Sequence, residues 1–127
     1  MRLADLQPSQ LFISTEKLGE VLRAFDPSRL EPLPVKRLGR DVVMTDGHTR
    51  AFAAFLCGLR EVPILWDEDA LDWEAYEICV TWCREEGIHS VADLVGRVIG
   101  PAEYEDRWLR RCREMHEQLA AKRSAGG

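Results

Sequence analysis

The sequence predicts a small α+β domain, and three observations point there. Segments of strand character, Leu33 to Leu38, Asp41 to Thr45 and Val62 to Trp66, alternate with helical periodicity through the first half. From Asp67 onward the texture is helical alone. A chain of 127 residues with 46% hydrophobic and 31% charged side chains has the size and composition of one globular unit with a real core. A small mixed sheet with covering helices over residues 1–66, a helical extension over 67–121 packed on the same domain, and a tail over 122–127 of disordered composition follow from this.

Arg2 to Leu6 is short and apolar enough for an opening strand, and Pro8 stops it in the polar loop Gln7-Pro8-Ser9-Gln10. Ser14 is placed to cap a helix over Thr15 to Phe25, in which Leu18, Val21, Leu22 and Phe25 recur at helical spacing until Asp26-Pro27. Gly39-Arg40 joins the next two strands as a hairpin. Ala51, Phe52, Ala54, Phe55 and Leu59 then define a second helix, with Gly58 suited to a left-handed C-cap. Further on, one helix near Ala70 to Glu86 stops at Gly87, a short one carries the Ser90/Asp93 capping pair, and the last begins at Pro101.

The apolar runs Ala51 to Leu59 and Val62 to Trp66 are far shorter than a bilayer span, and no basic-then-apolar leader stands at the start, so a soluble cytoplasmic protein without membrane partners is expected. A net charge of −5 is the wrong sign for a chain whose partner is nucleic acid. The basic residues Arg107, Arg110, Arg111 and Arg113 are interleaved with acidic neighbours, as on a solvated helix face. Cys57, Cys79, Cys83 and Cys112 all fall in apolar helical patterns, which predicts free, largely buried thiols.

Chemistry concentrates at Asp46-Gly47-His48-Thr49-Arg50. A strand that runs through glycine straight into a helix presents unpaired N–H groups and the positive dipole end at one point. Gly47 permits close backbone approach, Thr49 offers a hydroxyl, and Arg50 can form paired hydrogen bonds to phosphate oxygens. Asp46 stands where a carboxylate can hold magnesium or orient a hydroxyl, and His48, with an unperturbed pKa of about 6.5, can donate to phosphate or act as an acid. Gln10 is a polar contact from the facing loop. The bland alternative is a helix capped by Asp46 with His48 and Arg50 exposed and idle.

The order and spacing from Leu3 to Trp66 resemble the ParB N-terminal/sulfiredoxin superfamily. The shared features are the opening strand, the Leu6-Gln7-Pro8-Ser9-Gln10 loop, the first helix, the Glu31-Pro32-Leu33-Pro34-Val35 strand, the Gly47-His48-Thr49-Arg50 turn with Ala51-Phe52-Ala53-Ala54 after it, and Val62-Pro63-Ile64. About half the chain is covered. The resemblance implies a ParB/sulfiredoxin-like core over 1–66 and nucleotide phosphates held by Gly47, His48, Thr49 and Arg50. The Asp-Gly-His-Thr-Arg form is most similar to the branch containing ADP-dependent free serine kinases. The chain also departs from these relatives. His48 stands where sulfiredoxins carry their cysteine nucleophile, Gly-His-Thr-Arg replaces the Gly-Glu-Arg-Arg of partition proteins, and no DNA-reading unit follows. Gln7-Pro8-Ser9-Gln10 lacks the glutamate that the serine kinases use as base, leaving Glu16, Glu20 or Asp46 as carboxylates for that role.

The expectation is therefore a nucleotide-phosphate-binding protein, an ATP- or ADP-dependent kinase with magnesium acting on a small hydroxyl-bearing substrate. Asp46 and His48 are the candidate catalytic residues, Asp46 the metal ligand, and Gly47, His48, Thr49, Arg50 and Gln10 the nucleotide contacts. The alternative is a non-catalytic nucleotide sensor or protein-interaction module; a DNA-associated role ranks below both. Cys79-x-x-x-Cys83 and Cys112-x-x-x-His116 put pairs of ligand types one helical turn apart, but their places in apolar stripes favour core packing over zinc. The aromatic residues of the second half read mostly as core. Trp73 and Tyr76, flanked by acids, are the least securely buried and are left for a ligand cleft or a homo-oligomer contact.

Overall fold

The computed structural model describes residues 1–126, a mixed α and β arrangement. Four strands form the main sheet in the order β1 (Leu6–Gln7), β4 (Asp41–Met44), β3 (Leu33–Leu38), β5 (Ile64–Trp66). The β3/β4 pair is the expected hairpin, antiparallel with Lys36 opposite Val43 and Leu38 opposite Asp41, and Gly39 takes φ +62° in its turn. β1 and β5 pair in parallel with β4 and β3 respectively. A second, two-stranded parallel pairing joins β2 (Ile13–Ser14) to β6 (Val98–Ile99), and local pattern did not announce it.

The opening strand is shorter than expected. Leu3–Asp5 is a 3₁₀ turn, which lets Leu3 bury while the Leu3 N–H bonds the Arg60 carbonyl. Helix α1 (Thr15–Arg23) begins at the expected Ser14 cap but ends two residues before Phe25. Helix α2 (His48–Leu56) is nearly all interior: Ala51, Phe52, Ala53 and Ala54 are each no more than 2% exposed. Three alanines in four positions let α1 and the segment Val91–Arg97 approach its backbone closely. Gly58 supplies the left-handed residue after it, at φ +84°.

Helix α3 (Trp73–Glu85) starts three residues later than expected, where the Asp72 carboxylate accepts from the Ala75 N–H. Ser90 and Asp93 form the anticipated capping box, though over a 3₁₀ segment, Val91–Arg97. The last helix runs as α4 (Pro101–Tyr104), a π turn (Glu105–Leu109) and α5 (Arg110–Gly126). Residues 122–126 are helical and not disordered. Lys122 and Arg123 pair with Glu74 and Asp72 at the start of α3, contacts that composition cannot show, while Gly127 lies outside the described residues. Among the described residues, no helix is long and apolar enough to cross a membrane.

Leu6, Leu11, Ile13, Leu33, Met44, Phe52, Ile88 and Leu94 are fully buried in one cluster that joins both halves of the chain. Cys57, expected inside, is exposed at the C-cap of α2, one residue past the helix. Trp66 also departs from the core reading: on edge strand β5 it is half exposed, with the Arg37 guanidinium over its ring.

Candidate functional site

β4 ends at Met44, and the chain reaches α2 through Thr45-Asp46-Gly47. Gly47 is the N-cap residue, with φ +78°. A Cβ there would stand 2.8 Å from Arg50 Nη2 and 3.1 Å from Leu33 Cδ2, so conformation and space both call for glycine. Asp46 does not cap α2: its Oδ1 accepts from the N–H of Gly47, its own neighbour, at 2.8 Å. The first backbone bond of the helix runs from the Ala51 N–H to the Gly47 carbonyl. Among the described residues no acceptor pairs with the N–H groups of His48, Thr49 and Arg50, so three donors remain at the positive end of the helix.

His48 differs from both readings of the sequence. It is 5% exposed, and its Nε2 accepts from the Ser9 N–H at 2.9 Å, so the neutral ring carries its proton on Nδ1. Burial pushes its pKa down to about 4, against a smaller raising effect of the Asp46 charge. The expectation of a histidine acid near neutrality is corrected accordingly: the ring is uncharged there and ties the first loop to α2.

That loop is itself fixed. Ser9 Oγ donates to the Met44 carbonyl at 2.7 Å, and Gln7 Nε2 donates to the carbonyls of Pro8 and Ile88 at 3.0 and 2.9 Å. Gln10 Nε2 donates to the Phe12 carbonyl at 2.8 Å and to the Tyr104 hydroxyl at 3.0 Å. The polar side chains of the loop thus have defined places before any ligand arrives.

Two chambers meet at the turn. The outer one, about 410 Å³, is walled by Gly47, His48, Thr49 and Arg50 on one side, by Lys17, Glu20 and Val21 of α1 on the other, and by Gln10, Asp46 and Tyr104. The inner one, about 290 Å³, reaches past Ser9, Thr45, Asp72 and Tyr76 to Cys79, Trp108, Cys112 and His116. Gln10, Asp46 and His48 line both. Arg50 is held lightly, by Glu31 at 3.4 Å with that carboxylate largely in solvent, so an anion in the outer chamber can compete for it.

In the inner chamber the Tyr76 hydroxyl donates to the Thr45 carbonyl at 2.9 Å, and the Thr45 hydroxyl donates to Asp67 at 2.8 Å. Burial, then the charges of Asp46 and Asp67, pushes the tyrosine above its usual range and keeps it a donor. Trp73 meets the Tyr76 ring edge-on at 5.9 Å, outside the chamber wall. Cys83 is sealed in the core, away from His116, and among the described residues no group of three or more His, Cys, Asp or Glu side chains is arranged to hold a metal ion.

The structure therefore brings together every candidate at the turn with Gln10, sets Glu20 and Tyr76, both already candidates in the sequence, beside them, and adds Lys17 and Tyr104. Lys17, Glu20 and Val21 stand at i, i+3 and i+4 on α1, a shared face that helical spacing could have revealed. Tyr104 had no such signal. It arrives from 94 residues beyond Gln10. Glu16 does not line either chamber.

No protein-family model matches the chain, and no curated protein matches its sequence.

Proposed function

We propose that the chain binds nucleotide phosphates at the start of α2 and transfers a phosphoryl group to a small hydroxyl-bearing substrate in the inner chamber. The observation that carries this reading is the run of three unpaired N–H groups, at His48, Thr49 and Arg50, facing a chamber that also contains Lys17 and the Arg50 side chain. The resemblance of residues 3–66 to ParB/sulfiredoxin domains, which hold nucleotides at the corresponding turn, supports the same ligand.

ATP or ADP phosphates lie along the backbone donors, with Arg50 and Lys17 neutralising charge. Asp46 and Glu20 are carboxylates of the same chamber and fit magnesium, which takes one or two carboxylates together with phosphate oxygens and water. When bound, the ion offsets the charge on the phosphates. Asp46 lines both chambers and so can orient the substrate hydroxyl. The hydroxyl oxygen bonds to the terminal phosphorus as the bridging oxygen leaves with the nucleotide, and the hydroxyl proton passes to a carboxylate. His48 takes no proton in this scheme; it positions the loop that carries Gln10.

A non-catalytic nucleotide sensor is the second reading, favoured by one observation: the loop Gln7 to Gln10 has no carboxylate, and its polar groups are committed to the fold. Melting measurements with ATP, ADP, CTP and GTP, with and without magnesium, test the premise the two readings share, since a ligand that binds only the folded state raises its stability. A shift with ATP or ADP supports it, and no shift with any nucleotide refutes both. Nucleotide consumption dependent on serine or another small alcohol then selects the enzyme; binding without turnover across such a panel selects the sensor.

A further inference from the structure

Helices α3 and α5 pack antiparallel, and paired residues mark the register along their length. At one end Arg123 pairs with Asp72 and Glu74; at the other, Trp82 meets Trp108 edge-on with ring centroids 6.2 Å apart. Cys79 stands one turn before Trp82, and Cys112 one turn after Trp108, so the antiparallel register sets the two sulfurs opposite each other. Both line the inner chamber, where a small oxidant has access, whereas Cys83 is wholly enclosed and Cys57 lies on another face.

We propose that Cys79 and Cys112 are a redox pair that closes to an intramolecular disulfide on exposure to hydrogen peroxide, cross-linking α3 to α5 in the wall of the inner chamber. Cys112 is the attacking sulfur. It is the more open of the two to the chamber and adjoins Arg111, whose guanidinium favours the thiolate, whereas contact with Cys112, then burial, holds the Cys79 thiol above the usual cysteine range. The Cys112 thiolate takes one oxygen from peroxide; the O–O bond breaks, and the released hydroxide leaves as water with the Cys112 proton. The Cys79 sulfur then attacks the Cys112 sulfenic acid: the S–S bond forms, the S–O bond breaks, and hydroxide leaves as water with the Cys79 proton. Two thiols have lost two electrons, and one peroxide has become two waters. A dithiol reductant reverses the bond by exchange. The product ties α5 to α3 in the wall of the chamber that Asp46 and Tyr76 also line.

The inference is independent of any nucleotide, and its test is read on the protein alone. The full chain, reduced and then treated with hydrogen peroxide, is blocked with an alkylating agent and measured by intact mass and by peptide mapping. The expected product is a monomer two hydrogens lighter than the reduced chain, with two of its four cysteines protected and a cross-linked peptide joining Cys79 to Cys112. Cys57→Ser should leave that product unchanged and Cys112→Ser should abolish it; the mapping of the unmodified sequence stands even where the second variant folds poorly. A product confined to Cys57-linked dimers, a Cys79 to Cys83 link, or sulfinic acid on Cys112 with Cys79 free would overturn the proposal.

Discussion

The backbone N–H of Ser9 donates to Nε2 of His48 across 2.9 Å, from a loop 39 residues earlier in the chain. This bond joins the two segments that carry the candidate site, and it requires a neutral imidazole. A charged ring would present an N–H to an N–H inside a buried pocket.

Stability should therefore fall with acid in a specific window. His48 has a folded pKa of about 4, below the unfolded value, so its contribution is complete above the unfolded pKa and is lost as pH falls through the folded one. Between about pH 6.5 and pH 4 the loss should approach about 3 kcal/mol. Urea unfolding across that range measures it. His48→Gln, whose amide oxygen can accept from Ser9, should flatten this segment of the profile, and an unchanged slope would count against the buried neutral ring.

Gly47→Ala should destabilise the chain by about 1–2 kcal/mol, because an alanine at φ +78° carries the left-handed penalty. Its Cβ also meets the Arg50 guanidinium and Leu33. Denaturant midpoints give the first effect. A weaker nucleotide-induced melting shift, scored against the lowered baseline, gives the second.

Arg50→Ala should reduce nucleotide affinity by about 10- to 100-fold, the range expected for hydrogen bonds to a charged group. Arg50→Lys should recover only part, since an ammonium lacks the paired donors. Glu31→Gln, by contrast, should change stability by less than about 1 kcal/mol, because the pair it breaks is solvent-screened. Titration calorimetry and melting separate these outcomes.

Ser9→Ala removes the hydroxyl bond to the Met44 carbonyl but keeps the backbone bond to His48. A loss of about 1–2 kcal/mol is expected, with the acid sensitivity of His48 retained. If the pH profile disappeared together with the hydroxyl, the two bonds would not be separable as described.

The elements legible in advance were those whose signals are local. The β3/β4 hairpin follows from two strand-forming runs around Gly39-Arg40, the α2 start from Gly47, and the ends of α2 and α3 from Gly58 and Gly87, each at positive φ. Pairings between distant segments were not legible: β2 with β6, Tyr104 with Gln10, and Lys122 and Arg123 with Glu74 and Asp72. The π turn at Glu105–Leu109, which lies between Tyr104 and α5, also gave no local signal.

At the turn itself the division is clear. Asp46 to Arg50 was marked by sequence alone, because a strand, a glycine and a helix in succession leave backbone donors unpaired whatever surrounds them. What surrounds them came only with the fold. Packing buried His48 and made it an acceptor, where adjacent sequence left it exposed, and the register of α3 against α5 brought Cys79 and Cys112 to one chamber. Burial and charge environment are set by neighbours far along the chain, so the residue types were readable in order, and their protonation and contacts were decided by tertiary structure.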